Sequence, residues 1–158
     1  MSKGVLNIRG GLMKTDISSV QLPADRADTV GEVRICNQIS GAYGLRLSEG
    51  QMQILAENRI HSLKDAGRVE FGPGVLKDIV AAFCDSPYIY QENYEETLAG
   101  LQDIFYYFKS ESMEGISDSD LIDSMARIFN GEAGGSLGYL ADTGLPELCG
   151  GIRSGACR

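Results

Sequence analysis

Between residues 90 and 110 the apolar side chains Tyr90, Tyr94, Leu98, Leu101, Ile104, Phe105 and Phe108 recur three and four positions apart, with Glu92, Glu96 and Asp103 between them. At about 100° per residue these positions fall within about a third of a helix's circumference, the stripe of a helix laid on a core. Other segments repeat that period. Thr29 followed by Glu32 has capping-box spacing, and Val30, Val33, Cys36, Ile39 and Tyr43 then recur at helical intervals up to Gly44. Ser48 with Gln51 repeats the signature and opens a second helix that runs to Gly67. Ser117 and Asp120 start another, carrying Leu121, Ile122, Met125, Ile128 and Phe129 until Asn130-Gly131, and a short one holds Leu137, Tyr139 and Leu140.

Residues 75–84 carry only Lys77 and Asp78 as charges, so this helix is apolar on most sides and belongs at the centre. Ser86-Pro87 ends it, because the residue before a proline is pushed out of the helical region. Arg68-Val69-Glu70-Phe71 alternates polar and apolar ahead of Gly72-Pro73-Gly74 and reads as a short extended connector. The expected fold is all-α: an irregular bundle of five or six helices around the central helix at 75–84, with at most a trace of strand. Residues 1–28 read as an irregular N-terminal arm, 29–149 as the helical domain and 150–158 as a flexible tail.

A chain of 158 residues with 43% hydrophobic content can bury a core without staples. No apolar run reaches the ~20 residues that cross a bilayer, and Val5-Leu6-Asn7-Ile8-Arg9 breaks too soon for a signal peptide. Cys36, Cys84, Cys149 and Cys157 form no CxxC pair and read as reduced thiols, so the expected setting is the cytoplasm, with no membrane. Net charge is −8, and its distribution is uneven: residues 1–90 hold ten Lys/Arg and ten Asp/Glu, residues 91–158 four and twelve. That acidity repels a phosphate backbone, and no basic footprint for nucleic acid is present.

His61 lies four residues from both Glu57 and Asp65, on the helix face opposite Leu55 and Leu63. With no second histidine and no cysteine pair, no metal site is expected there, nor any cofactor. Cys84 falls at a helix C-terminus, where the dipole disfavours a thiolate, and Ser86 has no nucleophile elbow around it. Arg59 is the chemically odd residue, because the helical wheel places it between Leu55 and Leu63 in the middle of the apolar stripe. A guanidinium carried into a core needs a carboxylate or several carbonyls. Glu70 and Asp85, on connectors that flank the central helix, are the candidate partners, with Tyr88 beside them. The arginine either closes a structural ion pair or lines an anion-binding pocket. In the run Phe105-Tyr106-Tyr107-Phe108, Tyr106 and Tyr107 flank the core face and broaden the buried surface or line a groove for a partner.

The segments Cys36-Asn37, Tyr43-Gly44-Leu45, Glu57-Asn58-Arg59, Gly67-Arg68-Val69-Glu70-Phe71-Gly72, Phe83-Cys84-Asp85-Ser86-Pro87-Tyr88 and Leu101-Gln102-Asp103-Ile104-Phe105-Tyr106-Tyr107-Phe108-Lys109 resemble a family of small bacterial proteins catalogued as a domain of unknown function and common in clostridia-like bacteria. The resemblance covers roughly residues 33–149 and leaves out the arm and the glycine-bearing tail. It implies a cytoplasmic bacterial protein and supplies no reaction. On these grounds the chain reads as a non-catalytic helical interaction or accessory module, acting on another protein or on itself. The alternative is a small enzyme or ligand-binding protein whose anionic ligand meets Arg59.

Overall fold

The computed structural model describes residues 26–72, 74–112 and 115–154. The expected arm up to residue 25 and the end of the tail, 155–158, lie outside the described residues. Among the described residues six helices pack as an irregular bundle. α1 is Arg26–Ser40, α2 Glu49–Asp65, α3 Leu76–Phe83, α4 Tyr94–Glu111 and α5 Asp118–Asn130. The last, α6, begins at Leu137–Tyr139, passes through a π-helical turn at Leu140–Gly144 and continues as Leu145–Ser154. Among the described residues there is no strand, and Phe71 alone takes part in an isolated β-bridge.

α3 lies at the centre and packs on α1, α4 and α5, while α2 packs on α1 and α4. Its Leu76, Ile79, Val80 and Phe83 are buried, and Phe83 meets Phe129 of α5 edge-on at 5.5 Å. Ala81 faces outward beside Lys77 and Asp78, so α3 is more one-sided than its composition suggests. The stripe of α4 is buried through Tyr94, Leu98, Leu101, Phe105 and Phe108. It stops there: Tyr90 is exposed, because a 3₁₀ turn at Gln91–Asn93 precedes the helix.

That turn has its own work. The Gln91 side chain donates to the Arg46 carbonyl and accepts from its N–H, each at 2.8 Å, while Asn37 does the same to Leu47 at 3.0 and 2.8 Å. Two amide side chains thus satisfy the α1–α2 linker as a neighbouring strand would.

α2 carries the expected capping box at Ser48 and Gln51. It ends in a Schellman motif, in which Arg68 N–H reaches the Leu63 carbonyl at 2.9 Å and Gly67 N–H the Lys64 carbonyl at 3.1 Å. Gly67 sits at φ 67°, which a side chain would resist. α1 differs from expectation at its start. It begins at Arg26, so Thr29 and Glu32 lie inside the helix and are buried rather than capping it. α6 likewise runs on through residues read as tail, to Ser154. Its π turn lies just ahead of Pro146, which has no N–H for a carbonyl four residues back and whose ring would collide with it; the wider turn relieves both.

Candidate functional site

Arg59 is 1% exposed, in the middle of α2's buried face between Leu55 and Leu63. Among the described residues its guanidinium makes four hydrogen bonds. Nε and Nη2 donate to Glu70 Oε1 at 3.0 and 2.7 Å, Nη2 also donates to the Gly72 carbonyl at 2.8 Å, and Nη1 donates to Thr29 Oγ1 at 2.9 Å. The same Glu70 oxygen accepts from the Tyr106 hydroxyl of α4. One carboxylate on the α2–α3 connector therefore ties α2 to α4, and the guanidinium ties both to α1.

Two further groups complete this knot. Gly74 leaves no room for a side chain: a Cβ there would sit 2.7 Å from Arg59 Nε and 2.9 Å from Glu70 Oε1. The connector lies directly on the ion pair and needs glycine for space. Glu32 of α1 is buried, with Oε1 lacking a hydrogen-bond partner among the described residues. Burial holds its carboxyl above the ordinary glutamate value. Arg59 and the Gly74 N–H pull it down, while Asp78 and Glu70 push it further up. The Tyr106 hydroxyl is pushed up chiefly by burial and then by Glu70, and stays protonated as a donor.

Of the residues singled out from sequence, the fold brings Arg59 and Glu70 together and leaves the other two elsewhere. Asp85 is exposed just past the end of α3 and accepts none of the guanidinium's bonds. Tyr88 stacks edge-on against Phe129 at 6.2 Å and presses on Gly135. Thr29, Glu32, Tyr106 and Gly74 belong to the knot and were not assigned to it from sequence.

The nucleophile candidates are quiet. Burial, then Asp85, raises the Cys84 thiol, and burial pushes Cys36 up to about 12, the reverse of an activated thiolate. Ser86 donates to Asn130 Oδ1 at 2.5 Å and accepts from Tyr88 N–H, fastening a turn. His61 is exposed, and Glu57 bonds to Arg26 instead. Among the described residues no group of three or more His, Cys, Asp or Glu could hold a metal ion.

Two outward-facing features adjoin α2. Tyr107 is 55% exposed and, with Ser62, Asp65, Ala66 and Asp103, lines a cleft of about 250 Å³ between α2 and α4. Asp103 is held in that cleft by Asn58 at 3.2 Å and by the Ser62 hydroxyl. The second feature is the run after α2. Glu70 turns inward to Arg59, while its neighbours Val69 and Phe71 turn out, 70% and 47% exposed.

A family of unknown function (DUF6323) matches residues 32–158, and the chain belongs to that family. The match takes in the C-terminal end that the sequence resemblance left out. No curated protein and no solved structure matches the chain.

Proposed function

We propose that this protein is a non-catalytic interaction module whose docking element is the run Arg68–Phe71. The observation that carries the reading is the inverted parity of that run. A short segment against a core ordinarily turns its apolar side chains in and its polar ones out. Here the carboxylate is locked inside by Arg59 and Tyr106, and Val69 and Phe71 face solvent. A segment fixed at its centre with apolar side chains outward is preorganised for a partner strand, whose backbone supplies affinity while the two side chains supply specificity. Tyr107 adds exposed aromatic surface on α4, one position from the hydroxyl that holds Glu70.

The anion-pocket alternative loses support from the same geometry, since a guanidinium that is 1% exposed and already bonded to Glu70, Gly72 and Thr29 has little left for a ligand. The raised thiols and the fastened Ser86 likewise favour binding over covalent chemistry. The partner in this reading is another protein or a second copy, and the setting a bacterial cytoplasm, in keeping with three buried free cysteines. No helix among the described residues is long and apolar enough to cross a membrane.

The test immobilises the full wild-type chain and the V69D/F71D variant at equal load and exposes both to lysate of the source cell. A protein retained by the first and lost from the second, with unchanged thermal melts, supports the reading. Identical retained sets overturn it.

A further inference from the structure

Resting on the docking edge at residues 68–71, we propose that the cleft beside it, between α2 and α4, takes an arginine side chain of the bound segment, so that the partner is a basic strand of another protein.

Cleft and edge are neighbours on both walls. Ala66 lines the cleft and lies three residue steps, at most about 11 Å, from Val69. On the opposite wall Tyr107 follows Tyr106, whose hydroxyl reaches Glu70 in the middle of the edge. A strand that covers Phe71 and Val69 with alternate side chains draws level with Gly67, the residue after Ala66, two positions later.

The chemistry of the walls selects the occupant. Asp65 and Asp103 contribute carboxylates, Ser62 a hydroxyl and Tyr107 a ring that is 55% exposed, and none of the lining residues is cationic. Asp103 is held in place from α2: Asn58 at 3.2 Å and the Ser62 hydroxyl both donate to Oδ1, and neither takes Oδ2. Asn58 also donates to the Ala99 carbonyl at 3.2 Å, so the carboxylate is anchored to both helices. The Asp65 carboxylate has no partner among the described residues, and it is the last residue of α2, where the helix dipole opposes an anion. A cation placed between the two carboxylates offsets that repulsion and their own. A metal ion fits poorly, because no group of three or more ligating side chains exists among the described residues. A guanidinium fits: its planar fork has donors for both carboxylates, and its face can lie on the tyrosine ring. The surplus of twelve acidic over four basic residues in 91–158, where Asp103 lies, steers a basic segment to this side.

The test uses the full chain and two synthetic peptides, Ac-Arg-Thr-Val-Thr-Val-Thr-Arg-amide and the same peptide with citrulline, the uncharged isostere, in place of both arginines. An arginine at each end serves either strand direction. Binding is read by amide-resolved NMR titration for wild type, D65N, D65N/D103N and V69D/F71D, with thermal melts to check folding. Asp65→Asn leaves every hydrogen bond described above in place, and removing an anion from a helix C-terminus does not weaken the helix. The wild type should bind the arginine peptide at least about 5-fold more tightly than the citrulline peptide, with shifts at Asp65, Asp103 and Tyr107, and the preference should shrink with salt. D65N should reduce that preference and D65N/D103N abolish it. Equal affinity for the two peptides overturns the proposal, as do binding of neither and a preference that survives D65N/D103N. Self-association in sedimentation that D65N abolishes overturns it in favour of a second copy's arginine. Where both peptides bind equally and V69D/F71D loses both, the cleft falls and the docking edge stands; where V69D/F71D binds both peptides as the wild type does, the edge falls as well.

Discussion

Replacing Arg59 by methionine keeps the unbranched apolar stem of the side chain and removes the guanidinium. Glu70 then keeps the hydrogen bond from Tyr106 and loses its counter-charge, while Thr29 Oγ1 and the Gly72 carbonyl lose the bond from the guanidinium. Removing one partner of a buried pair costs about 3–5 kcal/mol. Glu70 is 23% exposed, so water recovers part of this and the expected loss lies near the lower end, about 3 kcal/mol. In urea, with a slope of about 2 kcal/mol per M, the unfolding midpoint should fall by ~1.5 M. Adding Glu70→Gln removes the orphaned charge and should restore roughly 1–2 kcal/mol, a non-additivity that a double-mutant cycle reads directly. A midpoint within about 0.5 M of wild type, at unchanged slope, would refute the view that this ion pair holds α1, α2 and α4 together.

Gly74→Ala puts a methyl group into the ion pair and should destabilise by about 1–3 kcal/mol in the same assay; a neutral result would mean that the connector is free to move off Arg59. The pH dependence isolates Glu32. A carboxyl raised in the folded state contributes stability that is present below its ordinary value of 4.5 and is lost as pH climbs through the folded value. Glu32→Gln should therefore gain on the wild type between about pH 4 and pH 7.5, and a flat or falling difference in urea melts would contradict that. Cys36 is fully buried with its thiol pushed up to about 12, so a maleimide at neutral pH should label it, by mass spectrometry, at least ~100-fold more slowly in the native chain than in urea.

Arg59 was legible from sequence because helical phase alone puts it among Leu55 and Leu63, and a buried cation demands a partner. Its pairing with Glu70 was within reach for the same reason. What escaped were groups whose role is set by residues far along the chain. Thr29 and Glu32 have the spacing of a capping box, but the guanidinium thirty positions later takes the threonine hydroxyl, so α1 extends past both. Tyr106 sits beside a clean apolar stripe, and no periodicity reveals that its hydroxyl finds a carboxylate thirty-six residues upstream. The stripe itself overran by a turn at Tyr90, where Gln91 is held by Arg46. Asp85 and Tyr88 lie away from Arg59 because closeness to α3 along the sequence does not fix the direction in which a chain leaves a helix.

The exposed pair Val69 and Phe71 follows from the buried one. Side chains on an alternating run take one parity or the other, so Glu70 and its apolar neighbours cannot all face the core. Turning the run over would bury Val69 and Phe71. Each would gain at most about 1.5–3 kcal/mol from full burial, and less here because Phe71 is already half covered. Against that stand the ~3–5 kcal/mol of an abandoned buried arginine and roughly 1 kcal/mol for each neutral hydrogen bond it makes to Thr29 and Gly72. The polar knot prevails, and apolar surface is left on the outside as its consequence. An interior arginine that reads as a structural oddity is thereby what sets the outward face of residues 68–71, and the proposed docking edge depends on the same ion pair as the stability of the bundle.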